Sequence, residues 1–192
     1  MKTRTKALLL ALSAVLLVVS TVMATMAYLT YTTQTVQNTF TVGQVVISLD
    51  ESVVSEYGVA TSERTKTGNQ YKLIPGHTYD KDPTITVETG SEECWVFAKL
   101  DDGLGEASAI TINEGWTQMT TTDGSLVYAY NTKMNVGDTA TLFEEFTFAG
   151  NADPDAYKSA SINVTAYAIQ ADGFTTAALA WAAAPATWTN NN

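Results

Sequence analysis

The chain has 192 residues, 20 of them acidic against 10 basic, and a formal net charge of −10. Such an acidic surface repels nucleic acid and anionic lipid, so neither is expected as a partner. A single cysteine, Cys94, excludes an internal disulfide, and a single histidine, His77, excludes the usual zinc spacings.

No charged residue occurs between Lys6 and Asp50. Lys2, Arg4 and Lys6 form a basic start, residues 7–19 are strongly apolar, and small residues follow through Ala27. That is the layout of a secretory signal. Thr25 and Ala27 place small side chains at the −3 and −1 positions, so cleavage makes Tyr28 the new first residue. An uncleaved anchor is the alternative, since about 20 apolar residues span a bilayer. Both readings put the rest of the chain outside, and with cleavage membrane contact is confined to export. Losing residues 1–27 removes three basic residues, leaving 20 acidic and 7 basic ones and a net charge of −13. The remaining 165 residues suit one domain.

Residues 28–49 are uncharged and rich in Thr, Val and Tyr. The segments 39–43 and 45–49 read as strand, with Gly43 marking a bulge. Residues 50–70 read as a long connection. Residues 71–76 end in a Pro75-Gly76 turn, where Pro fixes the first angle and Gly accepts the positive one. Residues 84–88 alternate, Ile85 and Val87 facing one way and the threonines the other. In residues 94–100, Cys94, Val96, Ala98 and Leu100 share one side, and Trp95, Phe97 and Lys99 share the other. Both faces are therefore covered, and Cys94 is read as a small buried hydrophobe.

Asp101-Asp102-Gly103 reads as a turn. Short strands follow at 110–112, 115–119 and 126–130, with Thr122-Asp123-Gly124 as a hairpin turn between the last two. A turn at 135–138, a strand at 142–148, a polar connection at 152–158 and the long alternation 161–169 complete the pattern. One helix is expected in the mature part: residues 172–175 cap it, residues 176–184 are Ala-rich, and Pro185 stops it. Seven to nine short strands with one small helix predict an all-β, antiparallel sandwich.

Catalysis has no positive signal. The pairs Glu92-Glu93, Asp101-Asp102 and Glu144-Glu145 are adjacent on strand sequence and point to opposite faces, which is no dyad. Asp80 and Asp82 are the only candidates for Ca²⁺, without the order of ligands of an EF-hand. His77 follows Pro75-Gly76 and reads as an exposed turn residue. Tyr167, Trp181 and Trp188 read as helix-docking aromatics, with a sugar-stacking platform as the alternative. No cofactor and no metal is expected.

Several segments, in this order, resemble the TasA/camelysin family of Gram-positive exported proteins. They are residues 25–30, 38–43, 74–87 and 94–97, and the tail 165–174 with Ala180-Trp181. The tail is similar to members that carry a SipW-type signal peptide. The resemblance implies a jelly-roll-like β-sandwich, cut by a dedicated signal peptidase and built into biofilm-matrix fibres. It also implies that the freed N-terminal segment completes the sheet of the next subunit. By position that assembly strand is residues 28–40, with Tyr28, Leu29, Tyr31, Val36 and Phe40 as its apolar members. Camelysin-type relatives have been labelled metalloproteases, an activity that a chain with one histidine and no zinc motif does not carry over.

Elementary physics gives the same arm two fates. An uncharged strand of high β-propensity either joins a neighbour's open edge, giving a head-to-tail homopolymer, or serves as the first strand of its own domain. A monomeric cell-surface module for glycan or calcium is the rival function, and a secreted hydrolase a weaker one.

Overall fold

The computed structural model describes residues 2–29, 43–185 and 188, and for residues 21–29 the helical backbone alone. The chain divides into two units, Met1–Thr41 and Val42–Asn192.

The first unit is α1 (Thr3–Leu29), an apolar helix. Its window Thr3–Ser20 has a mean hydropathy of 1.6 and no buried residue. At 1.5 Å per residue the helix is about 40 Å long, enough to cross a bilayer core. Thr25 and Ala27 lie on this helix, which continues two residues further through Tyr28 and Leu29. Tyr28 and Leu29 are therefore helical here, where the sequence reading expects them to form a strand once cut free. Tyr31, Val36 and Phe40 lie outside the described residues.

The second unit is mostly β, and eleven strands are described rather than seven to nine. They are β1 (Ile47–Val54), β2 (Ala60–Thr65), β3 (Thr78–Asp80), β4 (Thr84–Val87), β5 (Cys94–Asp102) and β6 (Ser108–Ile110). After these come β7 (Trp116–Gln118), β8 (Leu126–Tyr130), β9 (Thr139–Thr141), β10 (Glu145–Phe148) and β11 (Ile162–Gln170). Helix α2 (Ala177–Ala182) ends the series. Three antiparallel sheets result, with orders β2-β1-β4-β9, β3-β10-β6 and β11-β5-β8-β7.

The strand pattern and the sequence agree where apolar periodicity is strong. In β4, Ile85 and Val87 are buried and Thr84 and Thr86 are not. In β5, the first seven residues are all buried. Cys94, Val96, Ala98 and Leu100 join Ile85, Val87, Ala140, Leu142 and Phe143 in one core shared by the two four-stranded sheets. That is a sandwich-like arrangement. Trp95 and Phe97 face the other way, against Ala180 and Trp181 of α2. A third cluster, Tyr79, Leu104, Ala107, Phe146 and Phe148, fills one end, with Tyr79 and Phe146 stacked at 5.0 Å.

Residues 50–70 are not a long connection. β1 continues to Val54, turns through residues 55–58, and returns as β2. Gly58 closes that turn at φ 73°, and a Cβ there would meet the Tyr79 ring at 2.4 Å, so only glycine fits. The Pro75-Gly76 turn forms as expected, with His77 N donating to Ile74 O at 3.1 Å and Gly76 at φ 77°. Asp101 and Asp102 belong to β5 rather than to a turn. The cap of α2 is Thr176, whose Oγ1 accepts from Leu179 N at 3.3 Å, one residue later than residues 172–175.

Candidate functional site

β11 reads Ile-Asn-Val-Thr-Ala-Tyr-Ala-Ile-Gln, nine residues without a charge. It pairs with β5 at all nine positions, and its other side pairs with no described strand. A free edge is an invitation to another strand, which proteins usually blunt by shortness or charge. The remaining sheet edges obey that rule. β3, β6, β7 and β9 have three residues each, and β2 carries Glu63 and Arg64. β11, about 30 Å long, has neither protection.

The edge is also apolar on its inner face. Ile162, Val164, Ala166 and Ala168 pack on the main core but remain only half-buried, as do Ile47 and Leu49 of β1. β1 pairs with β4 over Ile47–Asp50, while its pairing with β2 starts only at Glu51. β1 and β11 come within 8 Å, Cα to Cα, without a ladder bond between them. A strand between two others needs about 9.6 Å, so β1 would have to move away from β11 to admit one.

The chain reaches the domain at one end of this edge. Gly43 sits against Gln170, where a Cβ would meet Gln170 Oε1 at 2.9 Å. Residues 44–46 lead into β1 beside the turn after β4, Gln44 O accepting from Glu92 N at 2.8 Å and Val46 O from Glu88 N at 2.9 Å. At the other end of the edge, Leu49, Asp50 and Glu51 line a cavity of about 240 Å³ together with Ile162, Asn163 and Val164. β1 therefore runs antiparallel to β11, from the Gln170 end toward the Ile162 end.

Asp82, a candidate calcium ligand by sequence, is occupied otherwise. Its carboxylate accepts from Ser52 N at 2.6 Å, Ser52 Oγ at 2.9 Å and Arg64 Nη1 at 2.5 Å. Arg64 Nε also donates to Asp50 Oδ1 at 2.7 Å, which pins β2 onto β1. Asp80 Oδ2 accepts from Ala60 N at 2.8 Å. Among the described residues, no group of three His, Cys, Asp or Glu is placed to hold a metal ion.

Burial alone would raise the Asp82 carboxyl, but the Ser52 bonds and the Arg64 charge outweigh it and hold it below its ordinary 3.8. A carboxylate lowered by folding stabilises the fold above its unfolded value and loses that contribution as pH falls below about 4. Urea unfolding followed from pH 6 to 2.5 is expected to show a steep loss below pH 4, and Asp82→Asn to flatten part of it.

The other residues singled out by sequence fall as follows. Cys94 is fully buried, and burial, with the Glu93 charge adding, pushes its thiol up to about 11. His77 follows its turn but is half-buried, its Nε2 2.9 Å from Tyr57 O and its ring edge-on to Tyr79. The acidic pairs diverge: Glu93 meets Lys133 at 3.1 Å, Asp102 accepts from Ser108, and Glu144 accepts from Asn113 at 3.0 Å. Tyr167 stacks on Trp188 at 4.8 Å, and Trp181 lies 5.0 Å from Phe97, so these aromatics dock the C-terminal segment on the sheet.

A group that sequence reading missed lies under the β1–β2 hairpin. Lys81 and Glu51 form a buried ion pair, and Asn69 Nδ2 donates to the same Glu51 carboxylate at 2.8 Å. Burial raises the nearby Tyr71 phenol, with the Glu51 charge adding. Lys81 lies between Asp80 and Asp82, and no local sequence pattern marks it as buried. The pairing of β1 with β4, Asp50 opposite Thr84, shows what it meets.

No protein-family model, curated protein or solved structure matches this chain.

Proposed function

We propose that the chain is exported, cut after Ala27, and assembled into extracellular fibres by strand addition. In this reading the cut frees residues 28–40, and the arm of one copy pairs with the β11 edge of the next. The observation that carries the proposal is the edge itself: nine uncharged residues with an apolar inner face and no described strand on their second side. An uncharged arm with strand-forming residues is the chemistry such an edge accepts.

The geometry of residues 43–46 favours a neighbour's edge over the chain's own. They enter β1 from the Gln170 end of β11. To lie along its own β11, the arm must reverse at or before Gly43. An arm given to another copy needs no reversal. Head-to-tail contact of this kind does not close on itself and propagates as a filament.

The resemblance to the TasA/camelysin family supports the same reading: a jelly-roll-like sandwich, a SipW-type signal peptidase as processing partner, and a place in a biofilm matrix. The role is structural rather than catalytic. The first test is the N-terminus of the exported protein, read by mass spectrometry. Tyr28 as first residue is expected, and a chain that keeps residues 1–27 would contradict the freed arm.

A further inference from the structure

Two side chains from separate segments meet on the buried carboxylate of a third, Glu51. Glu51 of β1 receives the Lys81 ammonium on Oε2 and Asn69 Nδ2 on Oε1, the latter at 2.8 Å. Glu51 and Lys81 are each less than a tenth exposed. The Asn69 amide is fixed at its remaining positions. Its Oδ1 accepts from Val54 N at 3.0 Å, and its Nδ2 donates a second bond to Ser52 O at 2.8 Å. Solvation of the ion pair alone does not call for a carboxamide held so fully beside it.

An amine and a carboxamide that share a buried carboxylate form an acyl-transfer arrangement. It has a nucleophile, an electrophile and a group able to move protons between them. The Val54 N–H supplies a donor at the oxygen where negative charge develops.

We propose that Lys81 and Asn69 become joined by an isopeptide bond, with Glu51 as the proton carrier. Glu51 takes a proton from the Lys81 ammonium, a transfer that removes both buried charges. The neutral Nζ adds to Asn69 Cγ, and the carbonyl electron pair moves onto Oδ1 beside Val54 N–H. Glu51 then gives its proton to Nδ2 and takes one from Nζ. The Cγ–Nδ2 bond breaks, the carbonyl re-forms, and ammonia leaves. Nζ–Cγ is the bond made, Cγ–Nδ2 the bond lost, and nothing is oxidised or reduced. Lys81 and Asn69 both line a cavity of about 680 Å³, which gives the ammonia an exit.

The bond would close the segment 69–81 into a covalent loop, fastening the Pro75-Gly76 turn and β3 to the residues that follow β2. It does not depend on fibre assembly, and it forms in a monomer as readily as in a filament.

Intact-mass measurement on the denatured exported chain tests it. The expected result is a deficit of about 17 Da, one ammonia, against the sequence mass. Trypsin is expected to spare Lys81 and to release residues 67–72 joined to residues 73–99. Lys81→Arg and Glu51→Gln should each restore the full mass, with circular dichroism reporting whether the variant folds. Full mass in folded wild-type protein would overturn the proposal, with no variant needed. So would a deficit that survives in Lys81→Arg, which would mark an imide instead.

Discussion

Exported protein lacking residues 28–40 is expected to remain a folded monomer and to form no filaments, whereas the chain beginning at Tyr28 forms them. The fold survives because the main core is built from β4, β5 and the segment around Leu142 and Phe143, all downstream of the arm. Filaments fail because ladder hydrogen bonds need both strands. Each such bond is worth only about 1 kcal/mol net, against about 1–2 kcal/mol to order each arm residue. Hydrogen bonds alone therefore do not hold the arm. The surplus has to come from its apolar side chains, each contributing about 1.5–3 kcal/mol when buried. Tyr28, Leu29, Tyr31, Val36 and Phe40 are those side chains, and the half-buried Ile162, Val164, Ala166 and Ala168 offer them a floor. Electron microscopy with size-exclusion chromatography reads the outcome. Filaments that persist without the arm would rule out strand donation.

Phe97→Ala is expected to cost about 3–5 kcal/mol of unfolding free energy. Phe97 is fully buried at the centre of β5, pairs across to Ala129 and Tyr167, and touches the Trp181 ring. Removing its ring empties the space between sheet and helix, and α2 has only six residues with which to adjust. Urea unfolding should show the midpoint falling with little change in slope, because the surface exposed on unfolding is nearly the same. Leu126 on the neighbouring β8 is partly exposed, and its alanine variant should lose less than about 1 kcal/mol. Equal costs at the two positions would contradict the two-faced burial of β5.

What the sequence reveals follows the physics of each element. β5 and β8 were legible because an apolar run or a clean alternation is a local signal. β11 was legible as the longest alternation, but not as an edge, because its lack of a second partner is a non-local fact. β2 was invisible. Ala60–Thr65 has no apolar period, and Arg64 holds it through Asp50 and Asp82, residues of two other segments. β3 and β9 are too short to show any period. Asp80 and Asp82 stand out in sequence as the candidates for a cation, whereas the residue between them, Lys81, takes part in the buried cluster. Glu51, Asn69 and Lys81 come together only through the registers of β1 with β2 and with β4.

The most direct measurement of strand donation is cross-linking between two singly labelled populations, with Val36→Cys in the arm of one and Thr165→Cys on β11 of the other. Cys94 is buried, with its thiol pushed up to about 11, so it stays out of the reaction in folded protein. Thr165 is exposed at the middle of the edge. Mixing the two after cleavage, under mild oxidation, is expected to give a disulfide between one copy of each. No cross-link on mixing, together with a disulfide inside the single chain that carries both cysteines, would show the arm completing its own sheet.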